Sequence, residues 1–202
     1  MHMVCLDLEG VLVPEIWVNF AEKTGLEELR LTTREIPDYD RLMQGRLAIL
    51  QREGLTLPDI QGVIGTLSPL DGALDFLDGL RSQTQVIILS DTFTEFAKPL
   101  MEKLRWPSIF CNSLEVDDSG MITGYRLRQY DGKQKAVQAL QGIGFTVFAA
   151  GDSYNDLTMI KAADRGALFR APEQIRNEEP QLPHAETYEE FSSIVSDFLR
   201  FS

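Results

Sequence analysis

Residues 4–11, Val-Cys-Leu-Asp-Leu-Glu-Gly-Val, form a short apolar run that stops at two carboxylates, Asp7 and Glu9, and a glycine, Gly10. The run is too brief for a helix and has the pattern of a buried strand, expected over residues 3–8. The pattern recurs twice: residues 86–89 (VIIL) lead into Ser90, and residues 146–150 (TVFAA) lead into Gly151 and Asp152. Helical spacing over 92–104 and 132–140 separates the later runs. Strands that alternate with helices predict an α/β fold with a parallel, doubly wound sheet. Residues 166–169 read as a further strand, and 188–201 as a closing helix with Tyr188, Phe191, Ile194, Val195 and Phe198 on one side.

One stretch breaks the alternation. Residues 14–68 hold three helix-like segments, 16–23, 39–53 and 58–65, and no convincing strand. The expected organisation is therefore an α/β core of residues 1–13 and 69–202, with 14–68 inserted after the first strand as a small helical cap. Ser68, Pro69 and Gly72 mark the return to the core, where Ala73, Phe76, Leu77 and Leu80 make a helical stripe. Segments 114–116 and 121–125, joined by Asp-Asp-Ser-Gly, read as a β-hairpin.

With 202 residues and 44% hydrophobic content, the chain suits one ordinary domain or a core with a modest insertion. A formal charge of −12 argues against non-specific binding to nucleic acid or to an anionic membrane, because the long-range field repels both. An anionic substrate would have to be met locally. Cys5 and Cys111 lack metal-ligand spacing and are expected to be two buried free thiols. The start has no signal-peptide pattern, and no apolar run approaches the ~18 residues that span a bilayer, so a cytoplasmic setting is expected. His2 and His184 support neither a hydrolytic triad nor a zinc site.

The acidic strand ends suggest phosphoryl transfer, which needs an in-line nucleophile, compensation for phosphoryl charge and a proton source. Asp7 can attack phosphorus to give an acyl phosphate. Glu9, two residues on in extended backbone, is expected on the same side, where it can serve as acid and base. Asp152 and Asp156 are spaced i, i+4, which would stack them on one helix face as ligands of Mg²⁺, a cation that takes few carboxylates. An alternative is that Asp152 only N-caps a helix starting near residue 154. Ser90 can hold phosphoryl oxygens at a helix start or merely cap it. Lys133 and Lys135 sit near a helix start, where a cation is disfavoured unless an anion is close.

These residues in this order resemble the haloacid dehalogenase superfamily of phosphohydrolases. Asp7 and Glu9 match its first motif, Ser90 its second, Lys133 its third, and Asp152 to Asp156 its fourth. The helical insertion is similar to that of the phosphoserine phosphatase subgroup. CLDLEGVLVPEIW, TTREIPDYD, ILSDTF and GDSYNDLTM resemble more closely the bifunctional phosphoserine phosphatase/homoserine phosphotransferases. The resemblance implies a Rossmann-like core, Asp7 as nucleophile and Glu9 as general acid/base. It implies Mg²⁺ held by Asp7, the Glu9 backbone carbonyl and Asp152, with Asp156 in support. Ser90, Asp91 and Lys133 would be the phosphate-binding residues, and Asn155 would reach substrate or phosphate. Glu15 and Arg46 would take the amino and carboxylate ends of phosphoserine. Homoserine would be a second acceptor, the setting amino-acid biosynthesis, and a homodimer is compatible.

Two departures stand out. Most superfamily members have Asp at Glu9, and most phosphoserine phosphatases have Gly at Asp91. Two other readings remain open at this level: a phosphatase of the same chemistry for another small phosphate ester, and a receiver-like signalling module with a phosphoacceptor aspartate.

Overall fold

A computed structural model describes residues 1–32, 35–36 and 38–201. Thr33, Arg34 and Pro37 of the TTREIPDYD stretch, and Ser202, lie outside the described residues. The strands are β1 (His2–Leu6), β2 (Gln85–Phe93), β3 (Ile109–Val116), β4 (Ile122–Arg126), β5 (Thr146–Gly151), β6 (Arg165–Phe169) and β7 (His184–Ala185). They form one sheet in the order β4-β3-β2-β1-β5-β6-β7, and every neighbouring pair is parallel except β3 with β4. The chain builds outward from β1 on one side and then returns to its other side through β5. β1 is therefore central, and the order reverses beside it, which is where open α/β sheets gather ligand-binding groups.

The insertion supplies α1 (Ile16–Thr24), α2 (Tyr39–Glu53) and α3 (Leu57–Ile64), and the core supplies α4 (Ala73–Arg81), α5 (Thr94–Met101), α6 (Gly132–Gly142), α7 (Leu157–Ala162), α8 (Glu173–Glu178) and α9 (Tyr188–Phe201). Period-two alternation along the strands sorts the core into two layers. Val4, Leu6, Ile88, Phe148 and Phe169 pack with the apolar stripes of α4, α5 and α9, and Met3, Cys5, Ile87, Leu89, Val147 and Leu168 pack with α6, α7 and α8. Phe191 of α9 stacks on Phe76 at 4.8 Å and on Phe169 at 4.9 Å. Each such fully buried ring contributes ~2–3 kcal/mol by area. At the head of the same helix the Tyr188 hydroxyl donates to the Val11 carbonyl at 2.6 Å, which braces the loop that follows β1.

The insertion folds as helices because its apolar residues recur at helical spacing between clear stops. Thr56 and Asp59 form a reciprocal capping box on α3, and α1 and α2 end at Gly25 and Gly54 in the left-handed conformation. Several bonds tie it to the core. Gln61 Nε2 donates to the Glu95 carbonyl at 2.8 Å, Leu57 N–H to the Gly120 carbonyl at 2.8 Å, and Lys103 Nζ to the Gly65 carbonyl at 2.7 Å. Tyr125 of β4 donates to the Asp40 carboxylate.

Differences from the sequence reading have local causes. The helix expected over 92–104 starts only at Thr94, because Ser90 to Phe93 stay extended and Phe93 pairs with Asn112 beyond an irregularity in the β2–β3 register. The strand expected at 114–116 begins at Ile109, so one strand serves both the parallel sheet and the hairpin. α8 and β7, in the polar stretch after β6, were not anticipated. Cys5 is buried as expected, whereas Cys111 is only half-buried.

Candidate active site

A cavity of about 830 Å³ lies where the ends of β1, β2 and β5 meet the insertion. Asp7, Glu9, Glu15, Arg46, Ser90, Asp91, Lys133, Asp152 and Asn155 all line it, so nine of the ten expected site residues reach one space. The tenth, Asp156, lies just behind it.

Asp7 continues the line of β1, its N–H donating to the Ala150 carbonyl at 3.0 Å. Its Oδ1 accepts from the Leu8 N–H at 2.8 Å and pairs with Lys133 Nζ at 2.9 Å. Oδ2 has no hydrogen-bond donor among the described residues. Glu9 reaches the same cavity by a different route from the expected strand alternation. β1 has already ended, and Leu12 N–H and Val13 N–H both return to the Leu8 carbonyl in a tight loop that swings Glu9 beneath α1. There Glu9 Oε2 accepts from the Ile16 N–H at 2.8 Å, at the start of α1. Burial, then the neighbouring Glu15 charge, pushes the Glu9 carboxyl up to about 8, against the pull of the Ile16 hydrogen bond and Arg46.

Asp152 and Asp156 converge, but not as two positions on one helix face. A short 3₁₀ turn, Tyr154–Asp156, precedes α7, and its N-cap is Ser153; the N-cap alternative for Asp152 therefore falls away. Asp156 is completely buried. Its Oδ1 accepts from Lys133 Nζ at 2.7 Å, and Oδ2 accepts from the Asp152 and Ser153 N–H groups at 3.1 Å each and the Ser153 hydroxyl at 3.0 Å. With both oxygens engaged, Asp156 acts as a brace that sets the loop carrying Asp152. Two glycines make room: a Cβ on Gly151 would collide with Asp156, and one on Gly10, which has φ +74°, would collide with the Asp152 carboxylate.

Carboxylate oxygens of Asp7, Asp152 and Asp156 lie within 4.8 Å of one another. Burial and then the Asp156 charge push Asp152 up to about 7, and the same two causes hold Asp7 well above the usual carboxylate range despite Lys133. An all-oxygen set of this kind suits a hard divalent cation. Lys133 is only 5% exposed, which rules out a solvated lysine. Burial alone would lower its pKa; Asp156, Asp7 and Asp91 more than offset this and hold it well above the ordinary value.

Ser90 lies within β2 and is buried, with Phe93 as the N-cap of α5, so the capping alternative for Ser90 also falls away. Its Oγ accepts from the Thr92 N–H at 3.2 Å. Asp91 does not behave as an anion ligand through its side chain. Its Oδ2 accepts from Asn155 Nδ2 at 3.0 Å and lies 3.6 Å from Lys133 Nζ, an ion-pair distance. Its carbonyl accepts from Asn112 Nδ2 at 3.0 Å and from the Tyr39 hydroxyl at 3.5 Å.

On the opposite wall Arg46 is buried at 8% exposure. Nη2 donates to the Leu31 carbonyl at 2.8 Å and the guanidinium sits 4.4 Å from the centre of the Trp17 ring, while Nε is buried without an acceptor. Glu15 lines the cavity as the exposed residue before α1. The sequence reading missed Trp17, Tyr39 and Asn112. Their contacts are tertiary, and each looked like an ordinary apolar or polar position in its own segment.

The site can be set beside known proteins. The model of the haloacid dehalogenase-like hydrolases matches residues 1–164. The chain is 55% identical over 202 residues to phosphoserine phosphatase ThrH of Pseudomonas aeruginosa, covering all of this chain and 97% of that one. It is 54% identical over 202 residues to a phosphoserine phosphatase of Pseudomonas syringae pv. tomato, covering all of this chain and 84% of the relative. A solved structure of a phosphoserine phosphatase in apo form superposes with a TM-score of 0.75 at 22% identity, over 93% of this chain and 94% of that one. With a sheet order, an acidic cluster and a full-length sequence likeness that agree, the chain belongs to the haloacid dehalogenase-like hydrolases.

Proposed function

We propose that this protein is a Mg²⁺-dependent phosphoserine phosphatase that works through an aspartyl phosphate on Asp7 and also passes the phosphoryl group to homoserine. The observation that carries the reading is the pairing, across one cavity, of the Asp7–Lys133–Asp156 cluster with the buried, partly unpartnered guanidinium of Arg46. A phosphate monoester bearing a carboxylate matches those two ends. Among the described residues eight carboxylates and two basic side chains line the cavity, so a substrate that also carries an ammonium group is favoured, with Glu15 as its candidate partner. The names of the two Pseudomonas relatives support the same substrate.

Asp7, the Glu9 carbonyl and Asp152 would hold the cation, with Asp156 as the brace behind them. When bound, Mg²⁺ supplies positive charge against the phosphoryl oxygens. Lys133 and the donors on Asp7 Oδ1 fix the carboxylate so that its other oxygen attacks phosphorus. The bond from phosphorus to the seryl oxygen breaks, and Glu9, held protonated by its surroundings, gives its proton to that oxygen. Ser90, Lys133 and Asn155 hold the phosphoryl group. In the second half, Glu9 takes the proton of water or of the homoserine hydroxyl as that oxygen attacks phosphorus and Asp7 is released. The extra methylene of Glu9 relative to Asp shifts the carboxyl by roughly an ångström, enough to alter which acceptor is served.

Residues 14–68 would act as the cap that selects the substrate, and a cytoplasmic setting suits the two unpaired cysteines. Among the described residues no helix is long and apolar enough to cross a membrane. The test is incubation with phosphoserine and Mg²⁺, with and without homoserine, following serine, phosphate and homoserine phosphate. Serine should appear in both, and homoserine phosphate only in the second; failure to release serine refutes the substrate assignment. Asp7→Asn should abolish turnover, and Glu9→Asp should change the ratio of homoserine phosphate to phosphate.

A further inference from the structure

Lys133 has three N–H donors. Two are committed inside the protein, to Asp7 at 2.9 Å and Asp156 at 2.7 Å, and both of those carboxylates are buried. The remaining direction leads to Asp91, at 3.6 Å. Asp91 is a different kind of partner: its side chain is 48% exposed, it lines the cavity, and its Oδ2 also takes Asn155 Nδ2 at 3.0 Å. Its backbone is pinned by Asn112, so the carboxylate can rotate while its attachment point stays in place.

We propose that the Asp91 carboxylate is a built-in competitor of the phosphoryl group, a side chain that holds the Asn155 amide and pairs electrostatically with Lys133 until phosphate displaces it. The inference rests on the assignment of Ser90, Lys133 and Asn155 as the phosphoryl seat. A phosphoryl dianion that takes the last Lys133 donor and the Asn155 amide must either displace Asp91 or lie against its charge. Both outcomes weaken binding of the ester and of free phosphate alike. The benefit lies at the end of the cycle: as phosphate forms, Asp91 reclaims its donors and speeds departure, which limits inhibition by the product. Asp7 and Asp156 cannot take this part, because each is buried and held by further hydrogen bonds.

The test is titration of inorganic phosphate into the Mg²⁺-saturated protein by calorimetry near neutral pH, for the wild type, Asp91→Asn, Asp91→Gly and Ser90→Ala. Removing one unit of like charge at contact range from a half-exposed position should tighten phosphate binding by about tenfold in both Asp91 variants. The advantage should shrink as salt is raised. Ser90→Ala should weaken binding. Unchanged or weaker phosphate binding in Asp91→Asn, with Ser90→Ala weakened, overturns this proposal and leaves the phosphoryl seat standing. If Ser90→Ala also leaves phosphate affinity untouched, the seat itself is misassigned and both readings fall. Asp91→Asn keeps the shape of the side chain, so it decides the matter if Asp91→Gly folds poorly.

Discussion

Replacing Arg46 by alanine separates recognition of the substrate from the chemistry on it. At about 4 Å and an effective dielectric near 20, a guanidinium and a carboxylate attract by ~4 kcal/mol. Roughly half of that is lost in removing water from the two charges, in line with the ~1.5–3 kcal/mol typical of hydrogen bonds to charged groups. The remaining ~2 kcal/mol corresponds to about a thirtyfold loss in kcat/KM for phosphoserine. Because the carboxylate is remote from phosphorus and is held alike in ground and transition states, the loss should fall on KM. Stability should move little. The variant forfeits the contact with Trp17, worth ~1 kcal/mol, and the Leu31 hydrogen bond, but it also removes a buried charge with an unpartnered Nε. Burial already pulls that guanidinium down to about 10, a sign of its desolvation cost. The assay is steady-state phosphate release from phosphoserine and from phosphoethanolamine, which has the ammonium and the phosphate but no carboxylate. The variant should lose its thirtyfold on the first substrate and almost nothing on the second. An equal loss on both, or a fall in kcat at constant KM, refutes the assignment.

Lys133→Met should both destabilise and inactivate: it strands Asp7 and Asp156 as buried charges, a change that costs ~3–5 kcal/mol and lowers the melting temperature, and kcat should drop by about a thousandfold or more. A variant that melts with the wild type contradicts the cluster. Gly10→Ala forces a side chain into left-handed backbone and against Asp152, so the Mg²⁺ concentration needed for half-maximal activity should rise by about tenfold or more; an unchanged requirement would separate Asp152 from the cation. The Cys5 thiol, pushed up to about 12 by burial, should resist a thiol reagent near neutral pH until denaturant is added, while half-buried Cys111 reacts sooner. Equal rates in the native protein would show that Cys5 is accessible.

The parts of the fold that were legible from sequence were those written in local periodicity. The three apolar runs that become β1, β2 and β5 each stop at a chemistry-bearing residue, and the helices of the insertion and α9 have unbroken stripes and clear stops. Short polar elements depend on their surroundings: β7 exists because β6 offers it hydrogen bonds, and α8 is anchored by Ile175 in the core, and nothing in their own residues announces that. The site divides in the same way. Asp7, Ser90 and Asp152 could be placed from where the apolar runs stop, although β2 itself continues past Ser90 to Phe93. Asp156 read as a support of the metal, and its four donors, which no sequence window contains, add a role as a brace for the loop that carries Asp152. Asp91 looked like a companion of the phosphate site, and its proposed role as a rival rests on its contacts with Lys133 and Asn155, which only the structure brings together. Trp17 beneath Arg46 joins two helices across many residues, a contact that no window on the sequence contains.

The central position of β1 also bears on how the protein is made. Residues 2–6 leave the ribosome before any of the chain they pair with: β2 begins at Gln85 and β5 at Thr146. The brace on the following loop comes later still, since Tyr188 reaches back to Val11 across nearly the whole chain. The segment leading into Asp7 is thus translated before its partners and enclosed after them, and loop closure over such distances is slow. Nascent chains arrested before residue 146 should leave this segment open to protease, and those arrested once α9 has emerged should protect it. Protection in the shorter chains would mean that some other partner shelters the strand during synthesis.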